Sequence, residues 1–208
     1  MIKLGTEYGG WYIPEDILND KSICYCVGCG EDISFDIELI NKYNSTVVGI
    51  DPTPRAIKYV TENTKDVSNY IFESVGLWDE KTTLKFYEPK NKEHVSHSFL
   101  NLQKTNEYIE VEVDTLLNIM NKHGHKKIDL IKIDIEGSEY RVLNYILKNN
   151  IDVDIICVEF DEMHNQFDYN FKQRIEKYIT ELTNNNYKLL KQDRANFTFM
   201  KNNETNIT

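Results

Sequence analysis

Residues 23–51, ICYCVGCGEDISFDIELINKYNSTVVGID, read as a strand, a glycine turn, a helix, a second strand and a terminal acid. Ile23 to Val27 is an apolar run of strand length. Ile33, Ile37 and Ile40 then recur at helical spacing, with Phe35 and Leu39 widening the apolar face. Thr46 to Ile50 is a second buried strand. The turn Val27-Gly28-Cys29-Gly30-Glu31-Asp32 therefore lies between a strand and a helix, where an open α/β sheet places its ligand crevice. Without a Cβ, Gly28 and Gly30 permit a tight turn and let the backbone approach a bulky ligand. Asp51 follows the second strand, at the place where an acid accepts hydrogen bonds from the ribose hydroxyls of an adenosine. Its alternative role is to cap the turn before Pro52.

Working outward, Pro54 opens a helix over 54–64 with Ile57 and Val60 on its buried side. A third strand is expected from Tyr70 to Val75, then a turn at Asp79 to Lys81 and a strand from Thr83 to Tyr87, which together look like an inserted hairpin. Residues 88–108 are polar and suit a loop over a pocket. Thr115 to Asn121 suits a short helix, and Ile128 to Ile133 is a strongly apolar strand. Val142, Leu143, Ile146 and Leu147 mark a helix, Val153 to Phe160 a strand, and Phe171, Ile175, Tyr178, Ile179 and Leu182 a long amphipathic helix. The closing YKLLKQDRANFTFMK reads as two strands about a polar turn. The expectation is an α/β fold: a mostly parallel, doubly wound sheet with helices on both faces and a C-terminal antiparallel hairpin.

Composition narrows the function. The 208 residues suit one domain. Thirty-four acidic against 24 basic side chains give a net charge of -10, with no Lys/Arg stripe to neutralise phosphates, so nucleic acid is not the expected partner. The start MIKLGTEYGGWY lacks a basic segment followed by an apolar run, and no stretch reaches a membrane-spanning length, so a cytoplasmic protein is expected. Cys24 and Cys26 fall on one face of a strand, Cys29 lies in the turn and Cys157 in another apolar run, a spacing that suits core packing better than zinc.

The same crevice serves dinucleotides, but Ile33 occupies the place of the third glycine of that fingerprint. Glu31 and Asp32 would repel a pyrophosphate at the helix N-terminus and attract the sulfonium and amino groups of S-adenosylmethionine (SAM); alternatively they cap the helix. Val75 and Gly76 are candidates to border the adenine, with Trp78 either stacking there or packing in the core.

The second informative segment is Ile131-Lys132-Ile133-Asp134-Ile135-Glu136-Gly137-Ser138-Glu139, where an apolar strand ends in three carboxylates. Cys157-Val158-Glu159-Phe160-Asp161 repeats the pattern on the next strand. Strand ends of this kind gather reacting groups, so Asp134, Glu136, Glu139, Glu159 and Asp161 are candidates to line one mouth. Glu139 reads equally as a first-turn helix acid. The acids are open to three roles: proton acceptor, sugar-hydroxyl binding, or cation ligation. His164 stands behind them. His94 and His97, flanking Ser96, are candidate acceptor contacts or members of a solvated loop. In Tyr8-Gly9-Gly10-Trp11-Tyr12, Trp11 suits either stacking on a sugar face or covering the core.

YCVGCGEDISFD, GIDPTP, VGLWDEKTTLKFY, LIKIDIEGSEYRVL and CVEFD, in that order over residues 25–161, together resemble the FkbM-like SAM-dependent methyltransferases, many of which methylate sugar hydroxyls. LGTEYGGWYIP is similar to that family's N-terminal segment, whereas Cys29 departs from the commoner residues of the turn. The resemblance implies a Rossmann-like methyltransferase with a seven-stranded sheet; residues 1–208 are read as one domain, with 1–20 as an N-terminal covering segment and 88–108 as a candidate substrate loop. It implies O-methyl transfer to a sugar or glycan, SAM as cofactor, Gly28, Gly30 and Asp51 as cofactor contacts, and Asp134 near the reacting centre. A NAD-dependent oxidoreductase and a catalytically silent binding module are the alternatives.

Overall fold

The computed structural model describes residues 1–90, 97–101 and 104–202. In chain order the elements are β1 (Ile2–Leu4), β2 (Trp11–Ile13), β3 (Ile23–Val27), α1 (Ser34–Tyr43), β4 (Thr46–Ile50), α2 (Pro54–Thr64), β5 (Tyr70–Glu73), β6 (Gly76–Trp78), β7 (Thr82–Tyr87), β8 (Tyr108–Thr115), α3 (Leu116–His123), β9 (Ile128–Ile133), α4 (Glu139–Lys148), β10 (Val153–Glu159), a 3-10 turn at Asp161–Met163, α5 (Phe171–Asn184), β11 (Tyr187–Asp193) and β12 (Asn196–Lys201).

The main sheet has seven strands in the order β11-β12-β10-β9-β3-β4-β5. The five strands from β10 to β5 pair in parallel, while β12 pairs antiparallel with both β10 and β11. This is the mostly parallel, doubly wound sheet with a C-terminal antiparallel hairpin that the sequence pattern leads one to expect. Its two faces are set by strand alternation. Tyr25 and Val27 of β3 join Ile131 and Ile133 of β9 and Ile156 and Val158 of β10 in a core shared with α3, α4 and α5. Cys24 and Cys26 face the opposite way, with Leu130, Ile155 and Cys157, against Phe35 and Leu39 of α1 and Leu4, Trp11 and Ile13 of the β1–β2 hairpin. All four cysteines are free and buried. Full burial of side chains such as Val142, Leu143 and Ile146 on α4 contributes about 1.5–3 kcal/mol each.

Local signals fix the helix ends. Thr53 caps α2 through its hydroxyl, and Pro54 occupies the first turn, where a missing N–H costs nothing. Thr115 caps α3, which ends on left-handed Gly124.

One expectation fails. The strand expected from Tyr70 to Val75 stops at Glu73, and the chain then leaves the main sheet. β6 and β7 do not form a hairpin together: both flank β8, parallel to β6 and antiparallel to β7, in a separate three-stranded sheet. The partner strand comes some twenty residues later in the chain, and alternation within one strand carries no record of its partner.

The register explains the site. Val27 lies level with Ile50 and with Ile133, and Ile133 with Val158. The next residue on each strand is Gly28, Asp51, Asp134 and Glu159. Adjacent strands are about 4.8 Å apart, so four segments remote in sequence deliver these residues to one edge. β3 sends the chain one way to β4, and β9 lies on its other side, which makes this edge the switch point of the sheet. Among the described residues, no helix is long and apolar enough to cross a membrane.

Candidate active site

A cleft of about 470 Å³ opens over that edge, within the usual range for small-molecule sites. On one side it is lined by Gly28, Cys29, Gly30, Glu31, Asp32, Ile50, Asp51, Val75, Gly76 and Leu77. Gly28 has φ +82, and a Cβ there would land on the Asp134 carbonyl oxygen. Gly30 is also left-handed, at φ +52. Gly28 thus brings the turn into contact with the end of β9, a demand the sequence alone does not reveal.

Asp51 is 6% exposed. Its Oδ2 accepts the Gly30 N–H at 2.9 Å, and its Oδ1 accepts from the Thr53 N–H at 2.8 Å and the Thr53 hydroxyl at 2.7 Å. The acid shapes both the turn and the start of α2, so the capping role weighed for it is real. Glu31 and Asp32 are also engaged. Arg55 donates to both oxygens of Glu31, which matches its charge. Asp32 accepts from the Thr6 hydroxyl at 2.6 Å and the Ser34 N–H at 2.9 Å, fastening the segment before β2 to the start of α1. Those hydroxyl and N–H bonds more than offset burial and hold Asp32 below the ordinary aspartate range.

The other side carries Asp134, Glu136, Glu159, Asp161 and His164. Glu159 is pushed far above the ordinary glutamate range by burial first, then by the charge of Asp134 and a hydrogen bond with it, and by Glu136. Burial and the neighbouring charge of Asp134 favour the protonated form of Glu159. Glu159 Oε1 also lies 3.3 Å from His164 Nε2. Burial raises Asp161 as well, opposed by a hydrogen bond from Asn165. Glu136 is left-handed at φ 53, and its carbonyl accepts the Ser98 hydroxyl at 2.7 Å, which docks part of the expected substrate loop on the site. His97 lines the cleft beside Phe86, their rings 5.5 Å apart. His94 lies outside the described residues.

Three residues that the sequence leaves open find a place in the fold. Glu139, a candidate acceptor contact, is 1% exposed beneath the cleft, and its Oε1 accepts the N–H groups of Ile135 and Gly137. Burial raises it well above the glutamate range, so it braces the acid-bearing loop from below. Trp11 borders the cleft but is 2% exposed, its ring in the core, because alternation along β2 turns it inward with Ile13; Tyr8, 93% exposed at the mouth, is the aromatic presented to solvent. Trp78 does not border the cleft: Arg141 lies over its ring at 4.6 Å and Phe99 packs at 5.0 Å. Lys132 received no role from the sequence. It is 7% exposed and lines the cleft floor, Nζ donating to the Gly28 carbonyl at 2.5 Å and lying 3.2 Å from Asp134 Oδ2. A single lysine inside the apolar run of β9 was the available signal. Arg194, from the β11–β12 turn, and Asn196, the first residue of β12, also reach the cleft and carried no motif.

Residues 19–189 match the methyltransferase FkbM domain. The chain belongs to the methyltransferase FkbM family. A methyltransferase domain selects against the nicotinamide alternative. The chain is 25% identical over 140 residues to "Probable methyltransferase-like protein 24" of Homo sapiens, covering 67% of this chain and 32% of that protein. The Rattus norvegicus protein of the same name is 24% identical over 152 residues, 73% of this chain and 34% of that one. The chain thus spans about a third of the length of these relatives. Among solved structures, Aeropyrum pernix fibrillarin with natively bound S-adenosyl-L-methionine is similar at TM-score 0.47 and 10% identity, covering 90% of this chain and 69% of that one.

Proposed function

We propose that residues 1–208 act as one methyltransferase unit that moves the methyl group of SAM onto a hydroxyl of a sugar or glycan. The observation that carries this reading is the juxtaposition, on one sheet edge, of a glycine turn with a buried acid and a carboxylate pair one strand away. SAM supplies a methyl group activated by its sulfonium when bound. The residues present suit it: Asp51 Oδ2 accepts one hydrogen bond from Gly30 and retains a lone pair for a ribose hydroxyl, while Ile50, Val75 and Leu77 offer an apolar wall to the adenine.

The acceptor side supplies the proton chemistry. A sugar hydroxyl must lose its proton as the new C–O bond forms, and alignment of the two reactants carries much of the rest. Burial and the charge of Asp134 favour the protonated form of Glu159, so Asp134 is assigned as the acceptor of the hydroxyl proton, with Glu159 beside it. Glu136, His97 and His164 border the space left for the sugar, and Tyr8 offers an exposed ring for stacking at its mouth.

The test is to incubate the protein with methyl-labelled SAM and a panel of glycans and simple sugars, and to locate the label by mass spectrometry. Label in an ether-linked methyl on a sugar oxygen supports the reading. Label on nitrogen or carbon, or on a non-saccharide acceptor alone, overturns it.

A further inference from the structure

The carboxylate pair and the glycine turn are joined by a buried cation that the chemistry above does not use. Lys132 points from β9 into the floor of the cleft, and its ammonium spans the two halves: the Gly28 carbonyl on one side, the Asp134 carboxylate on the other. On the α1 side the nearby acid is Asp36, 4% exposed, whose Oδ2 accepts the Tyr70 hydroxyl at 2.8 Å. Burial lowers the proton affinity of Lys132, but Asp134 first and Asp36 second more than offset it, so the ammonium stays charged. Burial raises Asp36 in turn, against the opposing pull of Lys132 and Tyr70. A buried lysine is rare unless paired, and this one is held by an acid and a carbonyl, with the charge of a second buried acid acting on it.

We propose that Lys132 is a positioning residue that couples the cofactor turn to the proton acceptor, one ammonium holding both the left-handed Gly28 turn and the Asp134 carboxylate. The proposal rests on the reading of Asp134 as proton acceptor, but not on the identity of the sugar. Two effects follow. The charge of Lys132 favours the ionised form of the Asp134–Glu159 pair, opposing the mutual repulsion that drives protons onto it. The grip on Gly28 keeps the turn in the form that receives the cofactor, so loss of the lysine weakens cofactor binding although the ammonium carries the wrong sign to attract a sulfonium.

The test is a carboxyl carbon NMR titration of the ligand-free protein, comparing wild type, Lys132→Gln and Asp36→Asn. Gln removes the cation and retains a polar side chain, while Asn keeps an acceptor for the Tyr70 hydroxyl. Lys132→Gln moves proton uptake by the Asp134–Glu159 pair to higher pH, by about one unit or more, as expected for loss of an opposite charge at contact distance. Asp36→Asn moves it to lower pH, because a buried negative charge near the cluster is gone. Opposite shifts from two substitutions at one buried cluster are not produced by general loosening. Calorimetry with S-adenosylhomocysteine adds a second readout: Lys132→Gln weakens binding about tenfold, the loss expected for one hydrogen bond from a charged donor. A pair titration unmoved by Lys132→Gln, or moved in the same direction by both substitutions, overturns the proposal. Neither readout needs a methyl acceptor, so a failed glycan screen leaves this test intact.

Discussion

The two sides of the cleft are built on opposite principles. On the cofactor side every acid is already answered: Asp51 by Gly30 and Thr53, Asp32 by Thr6 and Ser34, Glu31 by Arg55. On the acceptor side, Glu159 and Asp161 are raised by burial and by one another's neighbours, and buried oxygens of Asp161 and Glu139 have no hydrogen-bond partner among the described residues. A satisfied polar network is rigid, and an unsatisfied one holds free energy that a ligand or a proton can release. The contrast teaches that this site is preorganised to hold one reactant and left electrostatically tense where the chemistry is proposed.

The largest effect should come from the tense side. Asp134→Asn is expected to lower methyl transfer by about 10²–10⁴-fold, the usual worth of a positioned proton acceptor, while S-adenosylhomocysteine binding measured by calorimetry changes little. Substituting the contact between the two sides comes next. Gly28→Ala forces a Cβ onto the Asp134 carbonyl at φ +82 and is expected to cost about 3 kcal/mol of stability, read by urea denaturation. Asp51→Asn should weaken cofactor binding by about 1.5–3 kcal/mol, because a charged acceptor is lost from a buried, hydrogen-bonded position.

Glu159 gives a pH-dependent effect with a definite sign. Its folded-state proton affinity is raised, so its contribution to stability is complete below the unfolded glutamate value, about 4.3, and is lost as pH rises toward the folded value. Glu159→Gln should flatten the decline of stability between pH 5 and 8, seen in urea titrations across that range. A wild-type protein more stable at pH 8 than at pH 5 for reasons traced to this residue would contradict the assignment. The smallest effect should be Glu31→Gln: its bidentate partner Arg55 is exposed, and such pairs contribute about 0.5 kcal/mol or less.

What the sequence disclosed follows the same divide. The strand-turn-helix-strand of residues 23–51 was legible because its apolar spacing, its glycines and its acid are local signals, and the observed β3, α1 and β4 fall on the expected spans. The acid-rich ends of β9 and β10 were equally visible. The partners were not. Nothing local in Gly76–Trp78 announces a strand that pairs with residues 113–115, and nothing in Glu139 distinguishes a helix-start acid from a cleft acid until Ile135 and Gly137 are seen to donate to it. Trp11 and Trp78 were ambiguous because an aromatic beside a glycine serves a core and a ligand alike. Lys132 shows the limit most clearly. Its isolation in an apolar strand flags it, but its two partners lie 104 residues back and two residues on, and only the strand register unites them.

The division of labour between the two sides is tested most directly by calorimetric titration of SAM into wild type, Asp51→Asn and Asp134→Asn at a single pH. The account predicts that Asp51→Asn binds at least about tenfold more weakly and that Asp134→Asn stays within about threefold of wild type. Full affinity in Asp51→Asn, together with lost affinity in Asp134→Asn, would contradict it.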